Sequence, residues 1–520
     1  MASPLNAVSI AAPAFYGLNT QESGITLGSG FALTATNCII DKFGRIGSRK
    51  GWSKVTDTDS DLTGKDIRAI ASHIETDGTE TILFATDNKL WRLEQGETAP
   101  EELTAADTAI TSNTGDWQII SFNNKAIFVQ QDETMVYYDG SGAEYHSFDV
   151  ESDDSDDSPT GTSTPSCGCA AFGRVWVADD YTVYWSKSLD PIDFQGTGTG
   201  SLNIREVFGE DDKIVAITQH NNYLVIFGRR NIALYSGASA NIAEQFGLHD
   251  HIKGIGCVSR DTVQSIGTDV LFLSETGLRG LGRTIQERSA AVRDLSKNVR
   301  DELVTFVGGE TESRVKGIYS PYDAFYLLTL PGTGYTYCFD MKAFLQDGSA
   351  RVTIWDNITP TALAVKNDGT LLLGKEGYLG KYSTYADDGT SFRMKYYTNY
   401  FDFDQPTMEK LLKKIRVAMI GGAAQSASVK WATDYSTNYR ASAFTLSEGS
   451  SSEYGEDEYF SDDDIDNEAE YSTGIVLDNI SINIGGKGTV LQLGIEADIT
   501  TNSLSIQKID IFVKTGKLLT

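Results

Sequence analysis

Long apolar runs are what this 520-residue chain most lacks. No stretch approaches the roughly 20 residues that a membrane span needs. The opening MASPLNAVSIAAPAFYG has no basic start ahead of its mildly apolar part, which makes it a poor secretory signal. These absences predict a soluble protein made in a cytoplasm. Cysteine is scarce: Cys38, Cys167, Cys169, Cys257 and Cys338 form an odd, scattered set, which argues against a disulfide framework. Cys167-Gly168-Cys169 is too tight for the usual CxxC metal knuckle and has no further ligands nearby, so structural thiols are expected. Basic residues are outnumbered, 43 Lys and Arg against 72 Asp and Glu, for a net charge of −29. Nucleic-acid binding by counterion release needs clustered Lys and Arg, and a chain of this charge repels phosphates instead.

Much of the acidic excess lies in two tracts. One runs from Glu151 through Asp153, Asp154, Asp156 and Asp157; the other runs from Glu453 to Glu470 and holds Glu456, Asp457, Glu458, Asp462, Asp463, Asp464 and Asp466. Runs of like charge repel themselves and read as solvated loops, and these residues are the candidates for an acidic lumen or a solvent-facing surface.

Recognisable chemistry is also sparse. His249-Asp250-His251 could set two imidazoles on one side of a strand, but no third ligand accompanies them and a polar loop is the better reading. Asp462, Asp464 and Asp466 echo the first ligands of a calcium loop, yet Asn467 stands where the sharp turn needs glycine and the closing Glu is out of register. Gly196, Gly198 and Gly200 lack the strand-then-helix setting of a phosphate loop. Neither a GxSxG nor a P-loop occurs. The S-x-D-x-G-x-T-W box of sialidase-type propellers is missing as well, although paired carboxylates on propeller strands can cleave glycosides. The expectation is a protein without catalytic residues, cofactor or metal, and so not an enzyme.

What is present is repetition. TILFATDNKLWRL, KAIFVQQDETMVYYDG, RVWVADDYTVYWS, YLVIFGRRNIALYSG, DVLFLSETGLRGLG, AFYLLTLPGTGYTYCFD and TLLLGKEGYLGKY each combine two apolar, β-branched or aromatic limbs with a polar turn, the pattern of a β-hairpin. Their starts are spaced by roughly 40 to 55 residues, the size of a propeller blade. A further strand precedes each hairpin, as in IRAIASHI and WQIISFN. A lone hairpin cannot bury its apolar face and must stack on neighbours. The fold class predicted is all-β: a β-propeller of six or seven blades over residues 56–390, followed by a C-terminal β-sandwich over 391–520. Residues 1–55 are expected to be an irregular segment packing on the propeller or on a neighbouring subunit. One helix is inserted near 296–306, with Ser296 as N-cap and Leu295, Val299 and Leu303 on one face. In the C-terminal part Ile415, Val417 and Met419 alternate with polar residues, as do Leu491, Leu493 and Ile495, and then Ile509, Ile511 and Val513. The acidic loop 449–472 interrupts these strands.

Two segments carry a resemblance. GLNTQESGITLGSGFALTATNCIIDKFGRIGSRKGW, with Gly17, Gln21, Asn37, Gly44, Arg45, Arg49 and Gly51, resembles the N-terminal signature of tail nozzle (tail tubular) proteins of short-tailed bacteriophages. FGRVWVADDYTVYWSKSLDPIDF is similar to a second pattern of that family, carried by Arg174, Val175, Tyr184, Ser186, Asp193 and Phe194. The resemblance covers about 14–300 and rests on spacing, not on a catalytic signature; the C-terminal part departs from the family's best-known examples. It implies a virion tail protein that forms a homohexameric ring around the genome-ejection channel. Such a ring attaches to the head-tail adaptor, carries fibres or spikes, meets the host cell surface, and lets DNA pass without specific binding. The alternative is a receptor- or carbohydrate-binding propeller of a fibre, spike or glycosidase-like protein. An extracellular adhesion propeller is weakened by the absent secretion signal and disulfides.

Overall fold

The structure, a computed structural model, describes all residues except 1–4, 60, 112–114, 152–162, 239–244, 283–284, 286–293, 448–476 and 519–520. It divides into two compact units, Lys54–Ala350 with Ile358–Tyr382, and Met1–Ser53 with Arg351–Asn357 and Ser383–Thr520.

The first unit is a β-propeller. Its strands follow the hairpin pattern of the sequence: each predicted hairpin is two antiparallel strands, and the preceding run lies beside the first of them. Blade 1 comprises Ala69–Ile74, Glu80–Ala85, Leu90–Leu93 and Glu101–Ala105, and blade 2 comprises Trp117–Phe122, Lys125–Gln130, Met135–Tyr138 and Glu144–Phe148. Blade 3 runs from Cys167–Ala171 to Gly200–Asn203 and blade 4 from Ile214–His220 to Gly247–Lys253. Blade 5 has only Gln264–Ser265, Val270–Ser274 and Gly277–Gly280. Blade 6 contributes Lys316–Ser320, Phe325–Leu330 and Tyr335–Phe344, and blade 7 contributes Ala362–Val365, Leu371–Lys375 and Tyr378–Tyr382. The first strands of neighbouring blades lie side by side, including blade 7 against blade 1, except that the first strand of blade 4 lies against the 3-10 turn Arg260–Thr262 that opens blade 5, so the ring closes at seven. Closure takes a strand from the front of the unit: the Val55 N–H donates to the Leu379 carbonyl at 2.8 Å, and the Leu379 N–H to Thr56 Oγ1 at 3.0 Å.

Apolar faces stack from blade to blade. Ile70, Phe84 and Trp91 of blade 1 pack on Ala362, Leu372 and Leu379 of blade 7, and Trp176 and Trp185 of blade 3 pack on Ile214 and Ile226 of blade 4. Burial of such side chains contributes roughly 1.5–3 kcal/mol each, which a single hairpin could not gather alone. The turns obey local chemistry. Asn123 and Asn124 both take positive φ, 45° and 63°, in the two-residue link between the first strands of blade 2. A type I′ turn demands this, and Asn tolerates it.

Two expectations need correction. Residues 1–55 are not irregular: Leu5–Ala11, Gly17–Leu18, Phe31–Thr36, Cys38–Ile40, Ile46–Ser48 and Trp52–Lys54 are strands, and most of this segment belongs with the C-terminal strands in the second unit. The glycines punctuate short strands instead of preventing them. The helix spans Arg300–Gly308, preceded by a 3-10 turn at Lys297–Val299, and Ser296 does not cap it. Its hydroxyl instead accepts the Leu278 N–H at 3.0 Å, while Leu295, Val299 and Leu303 are buried as their spacing predicts.

In the second unit, Leu5–Ala11 pairs antiparallel with Leu504–Leu518, placing Val8 opposite Ile511, and Leu504–Leu518 pairs in turn with Met408–Gly421. Leu477–Asn483 lies on the far side of Met408–Gly421. A second sheet joins Phe31–Thr36, Phe392–Thr398, Leu491–Ile499, Ser426–Thr433 and Arg440–Thr445. Ile415, Val417, Met419, Ile509, Ile511 and Val513 are all buried.

Candidate functional site

The sequence places its distinctive residues in two segments, and the structure turns each into a bracing knot. In the second unit Asn37 adopts positive φ, 55°, between two strands and is fully buried. This conformation aims its amide at three partners. Nδ2 donates to Asp356 and to the Arg393 carbonyl at 2.9 Å, and Oδ1 accepts from Arg49 Nε at 2.9 Å. The Arg49 guanidinium grips Asp387 through two bonds of 2.7 Å and lies 3.8 Å from the centre of the Phe392 ring. A fork-to-fork pair is the strongest geometry a guanidinium makes with a carboxylate, and the aromatic face adds a cation–π contact. Gly51 leaves room for the chain beside it: a Cβ there would stand 1.9 Å from the Ala386 carbonyl oxygen.

The second segment forms its knot in blade 3. Arg174, buried, donates to the Ser186 carbonyl at 2.7 Å and the Gly198 carbonyl at 3.0 Å, and burial lowers its pKa. Ser186 Oγ accepts the Val175 N–H at 3.0 Å. Asp193 accepts the N–H groups of Gln195 and Gly196 at 3.0 and 2.7 Å and pairs with Lys187 at 3.0 Å. Phe194 is buried against Phe148 of blade 2, and the Tyr184 hydroxyl lies 3.3 Å from Ser163 Oγ. The remaining signature residues serve local turns. Arg45 pairs with Asp41 and stacks on Phe43, the Gln21 N–H donates to Asn19 Oδ1 at 2.9 Å, and Gly17 and Gly44 take positive φ, 81° and 73°. Asp153, Asp154, Asp156, Asp157, Glu456, Asp457, Glu458, Asp462, Asp463, Asp464 and Asp466 lie outside the described residues.

A third cluster has no counterpart in the sequence reading. Arg260 sits in the 3-10 turn Arg260–Thr262 that opens blade 5. Its guanidinium donates to Asp116 Oδ1 at 2.8 Å and to the Trp117 carbonyl at 3.0 Å, both at the start of blade 2, and to the Ser166 carbonyl at the start of blade 3. Blades 2 and 3 do not neighbour blade 5 in the ring, so this side chain spans the propeller axis. Asp261 pairs with both Arg260 and Lys316, which begins blade 6. Burial opposes the charge on Arg260, but Asp116 and Asp261 outweigh it and hold the guanidinium more firmly protonated. Burial likewise opposes ionisation of Asp261, and Arg260 with Lys316 nevertheless keeps its carboxyl well below the usual range. The only sequence signal was an Arg-Asp pair just ahead of an innermost strand.

His251 Nε2 lies 2.9 Å from Asn231 Oδ1, and His249 meets the Tyr223 hydroxyl at 3.3 Å, so the two imidazoles have separate partners. All five cysteines are free thiols, and burial pushes Cys167 and Cys257 up to about 12. His73 is buried between blades 1 and 2, with Nδ1 at 2.6 Å from Ser121 Oγ and no partner for Nε2 among the described residues. Burial lowers its pKa, against the nearby Glu75 carboxylate, which raises it, and the Tyr138 ring closes the site. A folded-state pKa below the unfolded value of about 6.5 means that stability falls as pH drops through 6.5, because only the unfolded chain readily takes the proton. Between pH 7 and 5 the melting temperature should fall measurably less in His73→Asn than in the unmodified chain. Parallel melting curves for the two would refute this.

No family model matches the sequence, and no curated protein matches it. Among solved structures the chain is similar to YCF48 from Cyanidioschyzon merolae, with 11% identity, 64% of this chain and 98% of that one covered, and a TM-score of 0.41. It is similar also to the WD40 domain of Toxoplasma gondii coronin, with 10% identity, 67% and 86% coverage, and a TM-score of 0.37. The propeller assignment stands on the closed ring of sheets described above.

Proposed function

We propose that this chain is a structural protein of a short phage tail, a subunit of a nozzle ring around the path of genome exit. One observation supports this most directly: the residues that carry the resemblance, Asn37 and Arg49 in one segment and Arg174, Ser186 and Asp193 in the other, are spent on internal bracing. Residues of this kind make a framework, and a framework is what a ring subunit under the pressure of a packaged genome requires. The acidic balance suits a conduit, since six copies would carry 6 × −29 = −174 formal charges and phosphates would slide past them without a deep binding minimum.

The test is the mass of the purified protein, followed by localisation in the particle. The expected result is a ring of about six chains, placed by electron microscopy at the tail tip. A monomer or trimer at all concentrations would favour the receptor-binding reading, and particles that keep an intact tail tip without this chain would overturn the proposal. Lysine substitutions at carboxylates that line the lumen should slow DNA ejection while leaving assembly intact, and high salt should relieve the defect by screening. Unchanged ejection kinetics would contradict an acidic conduit.

A further inference from the structure

In a chain with so large an acidic excess, one sheet face in the second unit is cationic. The registers put Lys414 and Arg416 of Met408–Gly421 opposite Phe512 and Asp510 of Leu504–Leu518. Their partners across the inward face, Ile415 with Ile511 and Val417 with Ile509, are buried, so the lysine and arginine side of the pleat is the outer one. Lys508 and Lys514 continue the same side of Leu504–Leu518, opposite Ala418 and Leu411. Lys414, Arg416, Lys508 and Lys514 share this face with Asp510, which Lys508 meets at 3.0 Å, and with Glu409, which lies on the same side of its strand as Leu411 and pairs with Lys487 at 3.1 Å. Apolar groups interleave with the charges. Arg416 lies 5.7 Å from the centre of the Phe512 ring, and Leu411 and Leu477 are 37% and 58% exposed.

The propeller unit carries the opposite surface. Asp132 and Asp180 are exposed in the turns between the second and third strands of blades 2 and 3, and Asp179 stands beside Asp180. Glu210 lies close by: the Tyr181 hydroxyl donates to its carbonyl, and its side chain, 81% exposed, meets Arg205 at 3.5 Å. Asp132 and Asp180 crowd Asp179. Burial raises the Asp179 pKa; the Thr164 N–H counters it, and the charges of Asp180 and Asp132 raise it further. Lys213, 2.8 Å from Asp180, offsets part of this repulsion.

We propose that the cationic face formed by Lys414, Arg416, Lys508 and Lys514 docks head-to-tail on the acidic turn cluster Asp132, Asp179, Asp180 and Glu210 of a second copy of this chain. A heterologous contact joins two different patches of one molecule and repeats around a ring when the rotation closes. Two chains of −29 repel at long range, and a contact that sets unlike patches together offsets that cost. The interleaved Leu411, Leu477 and Phe512 favour a protein occupant over nucleic acid, because a phosphate backbone offers no apolar surface to cover them. The inference deepens the ring reading and rests on it.

Charge exchange tests it. Lys414→Glu with Arg416→Glu should convert the assembly to single chains, with a melting curve close to that of the unmodified protein. Adding Asp180→Lys and Glu210→Lys on the same chain should restore the assembly. Raised salt should dissociate the unmodified ring and leave each chain folded. An unmodified ring whose Lys414→Glu, Arg416→Glu variant keeps the same mass overturns this contact and leaves the ring reading standing. Failure of the four-residue exchange to reassemble also overturns it. Unmodified protein that is a single chain at all concentrations overturns the ring reading itself. A gel shift with duplex DNA that the double variant abolishes, with mass unchanged, assigns the face to nucleic acid instead.

Discussion

Replacing Arg260 with Met should cost the propeller about 3–5 kcal/mol, the range expected when one partner of a buried ion network is removed. The substitution leaves Asp116 and Asp261 facing each other's surroundings without the guanidinium that separates them, and strands the carbonyls of Trp117 and Ser166. Lys316 still pairs with Asp261, so Asp116 and the two carbonyls take most of the loss. Arg260→Lys should rescue little, because a single ammonium cannot reach blades 2 and 3 together as a planar fork does. Two-state unfolding is not assured in a chain of this size. The measurement is therefore hydrogen exchange resolved by blade: protection should drop first at the starts of blades 2, 3 and 5. Equal protection in Arg260→Met and the unmodified chain would show that the axial contacts are dispensable. Acid acts on the same network. The Asp261 carboxyl titrates lower in the folded chain than in the unfolded one, so its contribution is complete above the ordinary carboxylate range and is lost as pH falls through the depressed folded value.

The second large effect belongs to Arg49. Arg49→Met keeps much of the side-chain volume over Phe392 but leaves Asp387 and Asn37 without their shared donor, and a loss of about 3–5 kcal/mol is expected in the second unit. Asp387→Asn should do less harm, since an amide oxygen still accepts one guanidinium N–H. The order of the two variants is the informative result. If Asp387→Asn were the more damaging, the knot would depend on charge and not on the geometry of the fork. Limited proteolysis reads this out, with cleavage expected to appear first in the second unit while the propeller stays intact.

The hairpins were legible because each carries its own evidence: alternating apolar residues, a turn sequence and a local partner a few residues away. Blade 5 was harder to read, since its first strand is only Gln264–Ser265, and the helix at Arg300–Gly308 begins four residues later than its supposed cap. The strands before residue 55 were missed for a different reason. Leu5–Ala11 finds its partner in Leu504–Leu518 at the other end of the chain, and no local pattern encodes a pairing that distant. Asn37 and Arg49 stood out in the sequence, but Asp387 lies 338 residues beyond Arg49 and had no distinguishing neighbour. Arg260 was hidden altogether, because a lone arginine in a polar stretch looks the same whether it faces water or crosses the centre of a ring.

The closing of blade 7 by residues near Val55 imposes an order on biosynthesis. The edge that Leu379 completes is made some 300 residues after the strand that will pair with it, so on the ribosome six blades can stack while the front segment waits without a partner. Until then blade 1 exposes the apolar face of Ile70, Phe84 and Trp91, which blade 7 will cover, and such a bare face is prone to wrong association. A nascent chain stalled before Leu379 should therefore be the most aggregation-prone length of this protein, and release of the last blade converts an open arc into a ring in a single step.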